Sequence, residues 1–241
     1  MNGFISAIQF LTRLPIGKPG TFAPEAMIAF FPMVGLMIGG MVAVVDLIVL
    51  QCWARPTASI IDLIFLIWIT GAFHLDGLGD TADGLYGSRP REKALEIMKD
   101  SRIGAMGVVA IWCVLSAKWS GLIGINPGVD RSLMLLIIPA YSRAATLFGF
   151  KFLEYGRPGG GTGHALFQEP LEFSAFWGVG IPIVLSLFAG WRGLWLNAAF
   201  IISTAAILIF YHRRMGCITG DMLGAMTETI EAVLFITAAC R

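Results

Sequence analysis

The chain has 241 residues, 56% of them hydrophobic and 14% charged, with a mean hydropathy of +0.76 and a net charge of +1. That balance excludes an ordinary soluble globular domain and points to an integral membrane protein. No internal repeat, low-complexity tract or dividing linker interrupts it, so residues 1–241 are expected to form a single membrane-embedded domain, all-α and polytopic.

Residues 1–20 carry a short apolar patch with no basic segment before it and no small-residue cleavage site, which predicts an interfacial helix and not a removable signal. Apolar stretches near the ~20 residues needed to cross a bilayer follow at 27–50, 57–75, 104–124, 131–150, 172–190, 193–211 and 222–239, giving about seven transmembrane helices. In the first, Gly35 and Gly39 have the spacing of close helix packing, and Pro32 can kink the span. With the N-terminus cytoplasmic, the inner side holds Arg13, Lys18, Arg89, Arg91, Lys93, Lys99, Arg102, Lys151, Arg157, Arg213 and Arg214, against Arg55, Arg131, Arg192 and Arg241 outside. Lys118 and Arg143 fall within spans. Tryptophan and tyrosine near the span ends read as an interfacial belt, so lipid is an expected partner and nucleic acid is not. Cys52, Cys113, Cys217 and Cys240 form no CxxC pair and are expected to be buried thiols.

The second span runs into His74-Leu75-Asp76-Gly77-Leu78-Gly79-Asp80-Thr81-Ala82-Asp83-Gly84. At about 100° per residue, a helix here would hold Asp76, Asp80 and Asp83 on one face. Three acids on one face repel, so they need water or cations among them, and Mg²⁺ is the cation this pattern suggests. Asp76 and Asp83 lie roughly 10 Å apart along such a helix, which suits two ions better than one shared ion. A solvated acidic loop is the competing reading, because Gly77, Gly79, Gly84 and Gly87 are poor helix formers that could end the helix.

A second acidic group opens the last span: Thr219-Gly220-Asp221, then Glu228 nearly on the face of Asp221, and Glu231 one turn further in. An acid at a helix centre costs on the order of 3 kcal/mol, so Glu228 and Glu231 should point into the bundle, as functional groups or as interhelical hydrogen-bond partners. Arg143 can snorkel to headgroups, pair with an inward carboxylate or hold a phosphate. Between the first acids and the third span, Ser101 and Arg102 beside free N–H groups at a helix start make an anion site, with Asp100 as a metal ligand or a cap. The glycine-rich run 159–163 is no P-loop, lacking the Lys-Ser/Thr pair, but could close over a substrate. His74 and His212 are candidate bases or metal ligands, or interfacial hydrogen-bonding residues.

These blocks, together with Phe10-Leu11-Thr12-Arg13-Leu14-Pro15, Phe31-Pro32 with Val34-Gly35, and Leu95 to Gly107, resemble the cobalamin synthases, or adenosylcobinamide-GDP ribazoletransferases, along the whole chain. The resemblance implies a Mg²⁺-dependent phosphotransferase of a prokaryotic inner membrane, with its active site facing the cytoplasm. Its substrates would be adenosylcobinamide-GDP and α-ribazole or α-ribazole 5′-phosphate. The ribose 3′-hydroxyl would attack phosphorus, releasing GMP and forming adenosylcobalamin or its 5′-phosphate. On that reading Asp76, Asp80, Asp83 and Asp221 hold metal and diphosphate, and Glu228 completes the catalytic set. Arg102, Ser101, Arg143 and His74 bind substrate or phosphate.

Two other readings stay open at this level. A CDP-alcohol-type membrane phosphotransferase lacks its Asp-Gly-x2-Ala-Arg signature here, since Leu85-Tyr86-Gly87-Ser88 follows Asp83-Gly84. An ion-coupled transporter would use Glu228, Glu231 and Arg143 as a midplane relay, but leaves the acidic run without a role. The oligomeric state, a homo-oligomer included, is not specified by these features.

Overall fold

The computed structural model describes residues 2–17, 24–157 and 163–240. Its elements are α1 (Asn2–Leu11), α2 (Pro24–Met27), α3 (Phe31–Val49), α4 (Arg55–Thr70), α5 (Phe73–Leu85), α6 (Arg91–Ile97), α7 (Ala105–Gly124), α8 (Val129–Phe152), α9 (Gly180–Ser186), α10 (Trp191–Met215) and α11 (Gly220–Ala238). Among the described residues there is no strand, only an isolated parallel bridge between Tyr155 and Ile218. The glycine-rich run 159–163 lies outside the described residues except for Gly163.

Among the described residues four helices are long and apolar enough to cross a membrane: Ile28–Val49, Ala105–Gly124, Asp130–Phe152 and Trp191–Met215; α4 and α5 make a fifth if the bent pair counts as one span. The expected seven are not confirmed by this test, for local reasons. The stretch at 172–190 is divided between two 3₁₀ segments, Phe173–Val179 and Leu187–Ala189, with α9 between them. The stretch at 57–75 stops at Thr70, where Gly71 and Ala72 both take left-handed backbone (φ 63° and 58°) and α5 departs at 90°. Glycine adopts that conformation freely, whereas Ala72 holds it against its own Cβ. The last stretch does form one helix, α11, set apart by its three acids, Asp221, Glu228 and Glu231; thirteen of its nineteen residues are buried, which makes it the axis of the bundle.

Around that axis pack α5, α7, α8 and α10, while α3 pairs with α8. Small residues set these distances: a Cβ on Gly35 or Gly39 would collide with the carbonyl oxygens of Pro139 and Leu136, and one on Gly121 would meet the backbone of Phe235. The lipid-facing side is legible in exposed Val108, Val109 and Trp112 on α7 and Leu194, Ile201 and Ile202 on α10. Of the four thiols only Cys217 is buried; Cys52, Cys113 and Cys240 are exposed, contrary to the expectation from their apolar surroundings.

Arg131, expected among the outer charges, is fully buried. Its Nε donates to Asp46 at 2.9 Å and its Nη2 to Asp46 at 2.8 Å, Asp62 at 2.9 Å and Ser59 at 3.2 Å; its Nη1 donates to the carbonyl of Leu122. One side chain thus ties α3, α4 and the end of α7 to α8. Arg131→Met leaves two buried carboxylates without their cation and should lower stability by about 3–5 kcal/mol. Restoring neutrality with Asp46→Asn and Asp62→Asn in the same protein should recover much of it, as read by denaturant unfolding in detergent.

Candidate functional site

The acidic run is helical throughout, from Phe73 to Leu85, and its glycines are contact points instead of helix stops. A Cβ on Gly77 would lie 2.7 Å from the carbonyl oxygen of Asp221, and one on Gly224 would lie 3.1 Å from that of His74, so α5 and α11 touch backbone to backbone. On its other sides α5 presents Gly79 to Ile103 and Ile111, and Gly84 to Met98 and the carbonyl of Ala94. Leu75 and Leu78 pack with Ala225 of α11. A helix held this closely leaves its polar face to the acids: Asp76 is exposed, and Asp80 and Asp83 are half-buried.

The close approach at Gly77 brings Asp221 into the electrostatic field of the same group. Asp76, Asp221 and Asp83 all repel charge on Asp80, and Arg157 offsets them. Arg157, which sequence reading placed only among the inner positive charges, donates from Nη2 to Asp221 at 2.6 Å. Its segment is fixed by a two-bond ladder, with Gly156 N–H donating to Ile218 at 2.8 Å and Ile218 N–H donating to Glu154 at 2.9 Å. No local sequence signal joins residue 157 to residue 221; the Tyr155–Ile218 bridge does so. Among the described residues no three His, Cys, Asp or Glu side chains are drawn together as a ready metal cage. The acids form a face, and all its ligand atoms are carboxylate oxygens, which suits an ion that keeps water and substrate oxygens in its shell.

Asp83 has a different environment from its neighbours. Its Oδ2 accepts from Gly104 N–H at 2.6 Å and its Oδ1 from Gly107 N–H at 2.9 Å. It therefore caps α7 from across the helix interface, and the glycines at 104 and 107 give its carboxylate room to do so. The expected anion site at the start of this helix is filled by the chain's own carboxylate. Ser101 and Arg102 are exposed beside it, and Arg102 makes a fork to Asp100 with Nη2 to Oδ2 at 2.6 Å. The guanidinium holds the Asp100 carboxyl down at about 2. Arg102 and Asp100 line an open cleft with Asp83 and Arg89, so of the expected anion-binding pair Arg102 does face the acidic region.

Glu228 and Glu231 point into the bundle and find cations there. Lys118 of α7 donates to Glu228 at 2.6 Å and to Glu231 at 2.8 Å. Arg143 pairs with Glu231, whose Oε2 also accepts from Ser142 at 2.9 Å. Two acids and two bases cancel, all of them buried. Of the roles open to Arg143, pairing with an inward carboxylate is the one realised; Lys118, within the apolar run of α7, carries no sequence signal that marks it as the partner of Glu228 and Glu231. His74 is buried, with its Nδ1 free of any partner among the described residues, as is the Nε of Arg143.

The fold and site define a helical membrane protein with an acid-lined face above a neutral ionic core. Comparison with known families refines that class. The family model described as cobalamin-5-phosphate synthase matches residues 3–239, and the chain belongs to this family. It is 34% identical to a protein of Clostridium acetobutylicum over 97% of this chain and 94% of the relative, and 36% identical to one of Acinetobacter baumannii over 98% and 96%. Both relatives are named adenosylcobinamide-GDP ribazoletransferase. No solved structure matches the chain.

The two kinds of aspartate should separate in stability measurements. Asp83→Ala exposes two helix-terminal N–H groups and should cost about 1–2 kcal/mol, whereas Asp76→Ala, at an exposed position under mutual repulsion, should leave unfolding unchanged or raise its midpoint. Thermal unfolding of the two variants in one detergent checks the contrast.

Proposed function

We propose that the chain is a Mg²⁺-dependent adenosylcobinamide-GDP ribazoletransferase, transferring the cobinamide-bearing phosphoryl group to α-ribazole or its 5′-phosphate with release of GMP. The observation that supports it best is the juxtaposition of Asp76, Asp80 and Asp221 through the Gly77 contact, in a chain whose Clostridium acetobutylicum and Acinetobacter baumannii relatives carry that name. An ion-coupled transporter is not favoured, since its expected relay residues are tied into a closed, charge-neutral set.

Asp76, Asp80 and Asp221 are the residues that would hold the metal and, through it, the diphosphate; Asp83 contributes its field while capping α7. When bound, the ion neutralises the phosphate oxygens and the charge that develops on the leaving phosphate. Arg157 sits beside Asp221 with a guanidinium that matches phosphate geometry, and its ladder to Ile218 keeps it at the face. Arg102 and Ser101, exposed at the rim, can meet the nucleotide's outer phosphate. Glu228 acts as a positioning residue: paired with Lys118, it holds the orientation of α11 on which Asp221 is carried. A loose transition state needs little from a general base, and positioning by this face supplies what the transfer requires.

The distribution of arginine and lysine further supports a cytoplasmic N-terminus and an acid face open to the cytoplasm, in the inner membrane of a prokaryote. Burial of Arg131 removes one charge from the outer side and sharpens that bias.

GMP release is the direct assay. Purified protein in nanodiscs with both substrates should release GMP in Mg²⁺ and stop in EDTA. Asp80→Asn should lower turnover by about 100-fold or more while the protein remains folded. Undiminished turnover by that variant would remove Asp80 from the site, and release that persists in EDTA would remove the metal.

A further inference from the structure

The cleft between the end of α5 and the start of α7 has a volume of about 420 Å³, ample for a nucleobase. Asp83 lines it, about 4.5 Å of helix rise from Asp80, so the cleft adjoins the acid face. Tyr86, Ile97 and Met106 give it apolar surface, while Asp100 and Arg102 give it charge. These groups are open to a ligand: Tyr86 is 55% exposed, and the side chains of Arg102 and Asp100 are 86% and 39% exposed. The wall that carries Tyr86 is nonetheless held. Arg89 Nη1 donates to the carbonyl of Asp83 at 2.9 Å, and Arg214 Nη2, from the end of α10, donates to the carbonyls of Gly87 and Arg89, both at 2.9 Å. Opposite it, Asp100 Oδ1 accepts from Arg102 Nε at 3.0 Å and Oδ2 from Nη2 at 2.6 Å, a pairing of two exposed side chains that adds little to the stability of the fold. The Arg102 backbone N–H also donates to Oδ1, at 3.1 Å, so Asp100 keeps its place if the guanidinium swings away.

We propose that this cleft seats the guanine of adenosylcobinamide-GDP, with the Asp100 carboxylate accepting the N1–H and the 2-amino N–H of the base in place of the Arg102 guanidinium. The inference rests on the transferase reading above and gives the nucleotide of its first substrate a place. Guanine presents two adjacent N–H donors on one edge, which match the two oxygens of an ionised carboxylate. Adenine has an acceptor at N1 and hypoxanthine lacks the 2-amino group, so each leaves Asp100 less well matched. The base of α-ribazole has a bare ring nitrogen and no N–H, and would set a lone pair against the carboxylate. Tyr86, Ile97 and Met106 supply surface for the faces of the ring. Opening an exposed ion pair costs little, and it releases Arg102 toward the diphosphate, whose geometry a guanidinium fits. From a base seated here the phosphates run toward Asp83 and the acid face.

Inhibition of turnover in nanodiscs by added GMP and IMP reads the base directly, since the two nucleotides differ only at the 2-amino group. Both should compete with adenosylcobinamide-GDP, GMP about tenfold more tightly than IMP, the equivalent of one hydrogen bond to a charged acceptor. Asp100→Ala should bring the two inhibition constants within about twofold of each other, with the KM for α-ribazole within about twofold of the parent. Arg102→Ala removes a phosphate contact and no base contact, so it should weaken GMP and IMP alike and keep their ratio, as general damage to the cleft would. Equal inhibition by GMP and IMP in the unmodified protein, or a preference for GMP that survives Asp100→Ala, would overturn the assignment. If the unmodified protein releases no GMP from its substrates, the transferase reading itself falls, and that failure is distinct from an active enzyme indifferent to the 2-amino group.

Discussion

Four charges that cancel inside the bundle are the condition for the rest of the structure. Lys118, Arg143, Glu228 and Glu231 come from α7, α8 and α11, and each is too costly to leave alone away from water. Their mutual satisfaction fixes the rotation and depth of α11 against its neighbours, since a slip of one residue would carry both glutamates about 100° off their partners. The placement of the first turn of α11 follows from it. Asp221 is there, and α5 can reach it because Gly77 and Gly224 let two backbones meet. A second ionic group, around Arg131, does the same service between α3, α4 and α8, so the bundle is pinned by charge at two separate places.

Much of this was readable from the residues. The spacing of Asp76, Asp80 and Asp83 indicates a shared helical face, and the helix is there. Glu228 and Glu231 had to face inward on energetic grounds, and they do. What sequence could not supply was the partner of each. Lys118 sits in an apolar run with nothing to mark its direction, and Arg131 lies near a span end, where an exposed charge is the ordinary case. Glycine was the most misleading residue type: in an isolated helix it weakens, but here the same lack of a side chain is what permits packing at 77, 79 and 84.

The count of seven spans is not confirmed, for a related reason. Hydropathy measures whether a segment avoids water and says nothing of whether lipid or protein surrounds it. α11 is apolar because it is the core of the bundle, and 172–190 is apolar yet broken into short turns. The 90° break after Thr70 rests on two backbone conformations that no hydropathy window records.

Asp83 carries a consequence of its own. A helix start usually offers fixed positive potential to any passing anion, but α7 has its offer answered internally by this carboxylate. The face that remains is dominated by negative charge, with Arg157 already engaged. On the proposed reading a bare polyphosphate would meet repulsion, while one that arrives with its own divalent counter-ion would meet ligands. The face would then discriminate by what accompanies the anion, admitting a phosphate ester that brings a divalent cation ahead of one that comes without, before any feature of its base or sugar is read.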